Sequence, residues 1–273
     1  MGDLNLVNTT SKKQMRLNEP LSFACYYGPA RLRDLASYNL VLVEPAYYAP
    51  AQVAQLRARD VQAIAYLSIG YEPAPGAGER WHVTDPNTGL PVRDPRWDTL
   101  LVDCRSLVWQ DHVVYQRIPD ILARGFQGLL LDNLDVQERY ADTRPGVISL
   151  IQRIRRAHPD LILVANRGFS ILDALVTSVD TVLFEAFTTY HDGKRYAAWK
   201  GADLAWTETQ ARRIRSLNCA WPILALDYAA PQDAELRRLA VARASAHGFS
   251  SFVSTWALDW LPDAAPSTPR SVG

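Results

Sequence analysis

Residues 125–135 read GFQGLLLDNLD, in which three consecutive leucines end at Asp132 and Asp135 follows three positions later. A short run that is apolar at every position is typical of a strand covered on both faces, as in a parallel sheet. Seven other runs share this character. They are residues 22–28, 39–45, 63–70, 161–168, 181–188, 222–229 and 249–256. With 128–134, they predict eight parallel strands.

Helical segments alternate with these runs. Residues 50–60 and 146–160 carry apolar side chains at three- and four-residue spacing. Thr207 is predicted to cap a helix over 206–218, and Gly248 to end a helix over 231–248. This alternation predicts the α/β class with a single (β/α)8 (TIM) barrel.

The predicted barrel domain covers residues 21–262, with flexible ends at 1–20 and 263–273. A doubly wound sheet is the alternative, but residues 28–34 (GPARLRD) lack the glycine fingerprint of that fold. Two long connections, 71–106 and 188–205, are rich in aromatic and charged residues, and we expect them to form ordered walls of a cleft.

Composition excludes several classes of function. The 29 basic and 29 acidic residues balance, which argues against a nucleic-acid partner. No apolar run reaches the roughly 18 residues of a membrane span. The three cysteines, Cys25, Cys104 and Cys219, are too widely spaced for a zinc site or a disulfide framework. Residues 1–20 lack an apolar core, so no signal peptide is predicted, and the protein is cytoplasmic unless a leader has been removed.

Polar and aromatic residues cluster where the predicted strands end. Because the C-terminal strand ends form the active face of such a barrel, these residues should converge on one rim. The candidates for substrate binding are Tyr26, Glu44, Glu72, Asp135, Asn166, Asp227, Tyr228 and Trp256. Trp256 is the favoured residue for stacking on a sugar face, because it ends a strand.

Asp132 and Glu185 are the strongest catalytic candidates, because each directly ends an apolar run. Two carboxylates that flank a bond are the equipment of glycoside hydrolysis, in which one protonates the leaving oxygen and the other acts as nucleophile or activates water. The alternative for any single strand-end carboxylate is structural, as a cap or a loop anchor. Asp135 and Asn166 are equally open to both interpretations.

Several of these stretches resemble one family. GFQGLLLDNLD is similar to the GFDGxxLDxxD motif of glycoside hydrolase family 114, typified by endo-α-1,4-polygalactosaminidase and including the hydrolase domains of bacterial Pel exopolysaccharide proteins. YLSIGYEP resembles the YxSxGExE segment of that family, and VANRG and VLFEAF lie where the family has its fifth and sixth strands. The resemblance covers about residues 22–260.

The resemblance implies a secreted or cell-surface hydrolase of galactosamine-containing polysaccharide that needs no cofactor. It implies Asp132 and Glu185 as the catalytic pair, Asp132 as nucleophile and Glu185 as general acid/base, with substrate contacts at Asp135 and Asn166. Tyr71 and Gln127 depart from the family pattern, which has acidic residues there. An acidic rim suits a cationic, partly deacetylated amino sugar.

Other functions fit the sequence less well. A phosphate-binding barrel would need glycine-rich loops after the last two strands, which are acidic and aromatic here. A metal hydrolase would need ligands at strand ends, but the five histidines lie in loops and helices. A catalytically inert glycan-binding barrel remains the alternative of a different class, and another amino-sugar polymer remains an alternative substrate.

Overall fold

The computed structural model describes residues 21–74, 80–136, 141–217 and 221–262. Its main sheet has eight parallel strands that curl into a nearly closed barrel, which confirms the predicted fold. In chain order these strands are β1 (Phe23–Tyr26), β2 (Leu40–Val43), β3 (Gln62–Ser68), β4 (Gly128–Asp132), β5 (Ile162–Asn166), β6 (Thr181–Glu185), β7 (Ile223–Tyr228) and β8 (Ser250–Ser254). At the seam between β1 and β8, the Tyr27 amide donates to the Leu258 carbonyl at 2.7 Å.

The barrel strands are short and almost entirely buried. All four residues of β1 and of β2 are buried, as their unbroken apolar sequences require. Gly128 begins β4 at a point of very close approach, because a Cβ added there would lie 2.3 Å from the Ile162 carbonyl oxygen of β5. A glycine is therefore needed for β4 and β5 to pair at this register.

Helices cover the outside of the barrel. Within the described ranges, the α-helices are Leu32–Leu35, Pro50–Arg57, Leu107–His112, Ile118–Ala123, Arg144–Ala157, Gly201–Ser216 and Ala234–Ala246. Short 3-10 helices lie at Pro45–Tyr47, Ala141–Thr143 and Phe169–Leu175, and a π-helical turn at Val113–Arg117 joins two of the α-helices. The predicted helices over 50–60, 146–160 and 231–248 are confirmed. Asp233 caps the last of these by accepting the Leu236 amide, and Gly248 follows its end at φ 63°.

The predicted N-cap at Thr207 is wrong. The helix begins six residues earlier, at Gly201, and the Thr207 hydroxyl donates to the Leu204 carbonyl at 2.9 Å inside it. Threonine competes for backbone carbonyls within a helix as well as at its start, so the residue type alone did not locate the boundary.

Both long connections carry additional strands. The one after β3 contains a three-stranded antiparallel sheet of Tyr71–Pro73, Thr99–Leu101 and Arg93–Asp94. The one after β6 contains a hairpin of Thr189–His191 and Tyr196–Ala198. Because both follow the C-terminal ends of barrel strands, they stand over the face where the predicted site lies.

The predictions for 1–20 and 263–273 lie outside the described residues. None of the helices in the described ranges is long and apolar enough to cross a membrane.

Candidate active site

Asp132 and Glu185 end β4 and β6, and Asn166 ends β5 between them. The Asn166 side-chain amide donates to Asp132 Oδ1 at 2.7 Å and to Glu185 Oε2 at 2.8 Å. Since both bonds end on one nitrogen, the two acceptor oxygens lie no more than 5.5 Å apart, the sum of the two lengths. The fold therefore brings the two predicted carboxyl groups together.

Two tyrosines hold the other oxygens of the pair. The Tyr66 hydroxyl of β3 donates to Asp132 Oδ2 at 2.8 Å, and the Tyr228 hydroxyl, at the end of β7, donates to Glu185 Oε1 at 2.6 Å. The Asn133 amide adds a longer bond to Asp132 Oδ2 at 3.3 Å. Each carboxyl group is thus fixed by donors from the strands on either side of it.

The chain turns sharply immediately after each of these three strand ends. Asn133, Arg167 and Ala186 have positive φ angles of 63°, 54° and 53°. The left-handed conformation costs a non-glycine residue roughly 1–2 kcal/mol. The backbone amides of Arg167 and Ala186 still continue the hydrogen bonding of the sheet. They donate to the carbonyls of Leu183 at 2.9 Å and Leu226 at 2.8 Å, respectively. Local strain is thus concentrated directly beside the site, where it fixes how each side chain leaves its strand.

Burial and the negative charge of Glu185 raise the pKa of Asp132 to about 6. Hydrogen bonds from Tyr66, the Asn133 backbone and Asn166 oppose this rise, because they favour the ionised carboxylate. Cys25 of β1 lies near both carboxyls, and its burial, with their charges, raises the pKa of the thiol. Cys25 therefore stays protonated, which argues against a thiol nucleophile.

Tyr26 does not face the carboxyl pair. Its hydroxyl lies beside Gly28, where an added Cβ would approach it to 2.4 Å. Tyr27 faces the site instead, with its ring edge-on to Tyr66 at 5.4 Å between centroids. Successive side chains of a strand point to opposite sides of the sheet, so Tyr27 faces the site while its neighbour Tyr26 faces away from it.

Glu44 and Glu72 lie on the rim but bond to their own connections. Glu44 accepts the Ala46 amide at 3.2 Å, and burial raises the pKa of Glu44. Glu72 accepts the indole N–H of Trp81 at 2.7 Å and lies 3.0 Å from His82 Nε2. Asp135 lies partly buried in the turn after β4.

Asp227 is turned away from the pair and is fully buried. Its Oδ1 accepts the backbone amides of Thr188 and Thr189 at 2.6 and 2.7 Å, where the chain leaves β6 for its hairpin. Burial raises the pKa of Asp227 to about 6 against these bonds. In this structure Asp227 anchors a corner, while its neighbour Tyr228 points to the site.

Trp256 connects the two cleft walls. Its ring is stacked with His191 of the second connection at 5.4 Å, and lies 5.1 Å from Trp97 of the first. The Arg96 guanidinium lies 4.6 Å from its centroid. These neighbours crowd the ring, so the structure favours a joining role over the predicted stacking on a sugar.

The sequence analysis missed Tyr66, and it did not select Tyr27 or Asn133, although both lie at predicted strand ends. Tyr66 lies within β3 rather than at its end, and only the reach of its long side chain brings its hydroxyl to Asp132. A tyrosine in an otherwise apolar barrel strand was the available signal, because a buried phenol needs a hydrogen-bond partner.

The model of glycoside-hydrolase family GH114 matches residues 8–268. Among solved structures, the glycoside hydrolase domain of PelA from Pseudomonas aeruginosa is 28% identical over 89% of this chain and 97% of that chain, with a TM-score of 0.78. Aspergillus fumigatus Ega3, solved in complex with galactosamine, is 14% identical over 92% and 96%, with a TM-score of 0.65, and at that identity shows the fold alone.

A curated relative, an uncharacterized protein of Thermotoga maritima, is 25% identical over 147 residues, which is 48% of this chain. The chain spans 44% of the length of that relative.

Proposed function

The chain belongs to glycoside-hydrolase family GH114, and on that premise we propose that it cleaves an α-1,4-linked, galactosamine-containing polysaccharide with retention of anomeric configuration. GH114 is a family of O-glycosyl hydrolases, so hydrolysis of a glycosidic bond is the reaction to be explained. One observation carries the proposed mechanism: a single Asn166 amide bridges Asp132 and Glu185.

The spacing of the carboxyl groups supports retention. Carboxyls about 5–5.5 Å apart suit direct attack on the sugar, whereas inversion needs roughly 6.5–9.5 Å to admit a water molecule. The bridging amide keeps the facing oxygens within 5.5 Å. That separation favours direct attack by a carboxylate over an intervening water molecule.

Asp132 is the proposed nucleophile. Because the charge of Glu185 raises the pKa of Asp132, the two carboxyls hold a single proton between them at intermediate pH. We assign that proton to Glu185 in the reactive state, because Asp132 accepts hydrogen bonds from three side chains, Tyr66, Asn133 and Asn166, which favour its ionised form. Its carboxylate oxygen attacks the anomeric carbon while the bond from that carbon to the glycosidic oxygen breaks. Glu185 transfers its proton to the leaving oxygen, which gives a glycosyl ester on Asp132 and an ionised Glu185.

Water completes the cycle. The Glu185 carboxylate takes a proton from water as the water oxygen attacks the anomeric carbon, and the ester bond to Asp132 breaks. Both carboxyl groups return to their starting protonation, and two inversions give net retention.

Charge supports an amino sugar as the substrate. Glu44, Glu72 and Asp135 lie on the connections that follow β2, β3 and β4, at the strand-end rim of the barrel. An acidic, partly buried cleft attracts a cation more strongly than a neutral ligand. The galactosamine in the Ega3 complex agrees with a polymer that carries free amino groups.

Reducing-end release from a polysaccharide panel tests this proposal. The panel contains poly-α-1,4-galactosamine, its fully N-acetylated form and chitosan. We expect cleavage of the free-amine galactosamine polymer, with the newly formed reducing end appearing first as the α-anomer by NMR. Preferential cleavage of chitosan would assign another amino sugar, and binding without cleavage of any polymer would indicate an inert glycan-binding barrel.

A further inference from the structure

We propose that Tyr66 and Tyr228 are positioning residues that divide the roles of the carboxyl pair, Tyr66 by supporting Asp132 as the nucleophile and Tyr228 by supporting Glu185 as the acid and base. This inference rests on the proposed glycosidase function. It assigns Tyr228 to Glu185 rather than to direct substrate binding, and it gives a role to Tyr66.

The two carboxyl groups share one side-chain donor, and each also has a tyrosine donor of its own. The facing oxygens, Asp132 Oδ1 and Glu185 Oε2, share the Asn166 amide. Each remaining oxygen has a tyrosine of its own, Tyr66 at 2.8 Å from Asp132 Oδ2 and Tyr228 at 2.6 Å from Glu185 Oε1. The amide is therefore common to both groups, while each hydroxyl serves one.

Both tyrosines are held on rigid elements next to their partners. Tyr66 lies in β3, which pairs with β4 so that Ser68 lies opposite Asp132. Tyr228 is 4% exposed and ends β7, which pairs with β6 so that Leu226 lies opposite Glu185. Side chains fixed on paired strands hold a catalytic group more accurately than loop residues do.

Each phenol remains a donor across the working pH range. Burial, followed by the charge of Asp132, raises the pKa of the Tyr66 hydroxyl. Burial, followed by the charge of Glu185, raises the pKa of the Tyr228 hydroxyl. Neither hydroxyl can ionise near neutral pH, so each can stabilise a neighbouring anion throughout the reaction.

The reaction moves negative charge from one tyrosine to the other. Before the first step the charge is on Asp132, next to Tyr66, and afterwards it is on Glu185, next to Tyr228. The Asn166 amide reaches both groups and can follow the charge. Tyr66 should therefore affect attack on the sugar, and Tyr228 the proton transfers made by Glu185.

Three phenylalanine variants test this division. Tyr66→Phe and Tyr228→Phe each remove one of the two donors. Tyr48→Phe is the matched control, because Tyr48 is fully buried and its hydroxyl has no hydrogen-bond partner within the described part of the chain. The readouts are the pH profile of kcat/KM, thermal unfolding, and the carboxyl titration of Asp132 followed by 13C NMR, which does not depend on activity.

We expect Tyr66→Phe and Tyr228→Phe to lower kcat/KM on the order of 10- to 100-fold, as loss of a hydrogen bond to a charged group does. Tyr66→Phe should move the acidic limb of the profile and the Asp132 titration to higher pH. Tyr228→Phe should leave the acidic limb in place and move the basic limb to higher pH. Tyr48→Phe should change neither limb.

Among the described residues, the titratable groups that interact electrostatically with Asp132 are Glu185, Tyr66, Tyr228, Tyr27 and Cys25. A shift of the Asp132 titration in Tyr66→Phe but not in Tyr228→Phe supports the division of roles between the two tyrosines. This result holds even if wild type cleaves no polymer in the panel, because the titration does not depend on activity. Equal movement of the same limb in both variants, or no movement in either folded variant, overturns the division.

Discussion

Asp132 and Asp227 both end or nearly end a barrel strand, and burial raises the pKa of each to about 6. Their partners differ. Asp132 remains partly exposed and is held by side chains of the barrel, whereas Asp227 is sealed and held by the backbone amides of Thr188 and Thr189. A raised pKa therefore does not separate the proposed nucleophile from an aspartate that anchors the backbone. The two aspartates differ instead in their exposure and in the type of donor that holds them.

The largest expected difference between the two aspartates is in catalysis. Asp132→Asn keeps the shape of the side chain but removes the proposed nucleophile, and we expect kcat to fall on the order of a thousandfold or more. Glu185→Gln should cause a comparable loss on the natural polymer. Both losses are measured by reducing-end assays, on variants whose thermal unfolding matches that of wild type.

Asp227→Asn is the matched control for Asp132→Asn. Asparagine keeps the oxygen that accepts the two threonine amides, so we expect kcat/KM within about tenfold of wild type. Equal losses in Asp132→Asn and Asp227→Asn would remove the distinction between the two sites.

Asn166→Ala should have the next largest effect. The amide that bridges the two carboxyls is lost, and we expect kcat to fall on the order of 100-fold, as loss of one preorganised donor does. Because Asn166 is also buried, thermal unfolding must be measured alongside. Wild-type kcat in a folded Asn166→Ala protein would contradict the bridging role.

Asp227 should also make stability depend on pH. Its pKa is raised above the unfolded value of about 3.9, so its contribution is fully present below that pH and is lost as pH rises through about 6. The Asp227→Asn protein lacks this pH-dependent contribution to stability. From pH 4 to 7 its unfolding free energy should therefore gain about 2–3 kcal/mol relative to wild type. Parallel curves from urea unfolding at each pH would contradict this.

The smallest effect concerns the turn after Glu185. Ala186 adopts φ 53°, a conformation that glycine accepts without strain. We expect Ala186→Gly to raise the unfolding free energy by up to about 1 kcal/mol. Unchanged or lower stability in chemical unfolding would mean that the turn stores little strain.

The sequence was sufficient to predict the barrel and the carboxyl pair, because buried parallel strands are apolar throughout and Asp132 and Glu185 end two of them. It could not distinguish Tyr26 from Tyr27, or Asp227 from Tyr228. Adjacent residues of a strand point to opposite sides, so an error of one position in a strand end reverses the assignment.

Other features depended on tertiary packing. Tyr66 lies two residues before the end of β3, and its contact with Asp132 depends on how β3 and β4 are staggered. The crowding around Trp256 depends on two connections that meet only in the folded chain. Neither arrangement leaves a local pattern in the sequence.

Azide rescue tests the central claim most directly, because it distinguishes the two carboxyl groups by stereochemistry. Asp132→Ala and Glu185→Ala would be given sodium azide and an α-galactosamine oligosaccharide with an activated aryl leaving group. We expect the β-glycosyl azide from Asp132→Ala, by a single displacement, and the α-glycosyl azide from Glu185→Ala, by attack on the ester at Asp132. The reverse pattern by NMR would exchange the two roles, and the β-azide from both variants would contradict a retaining pair.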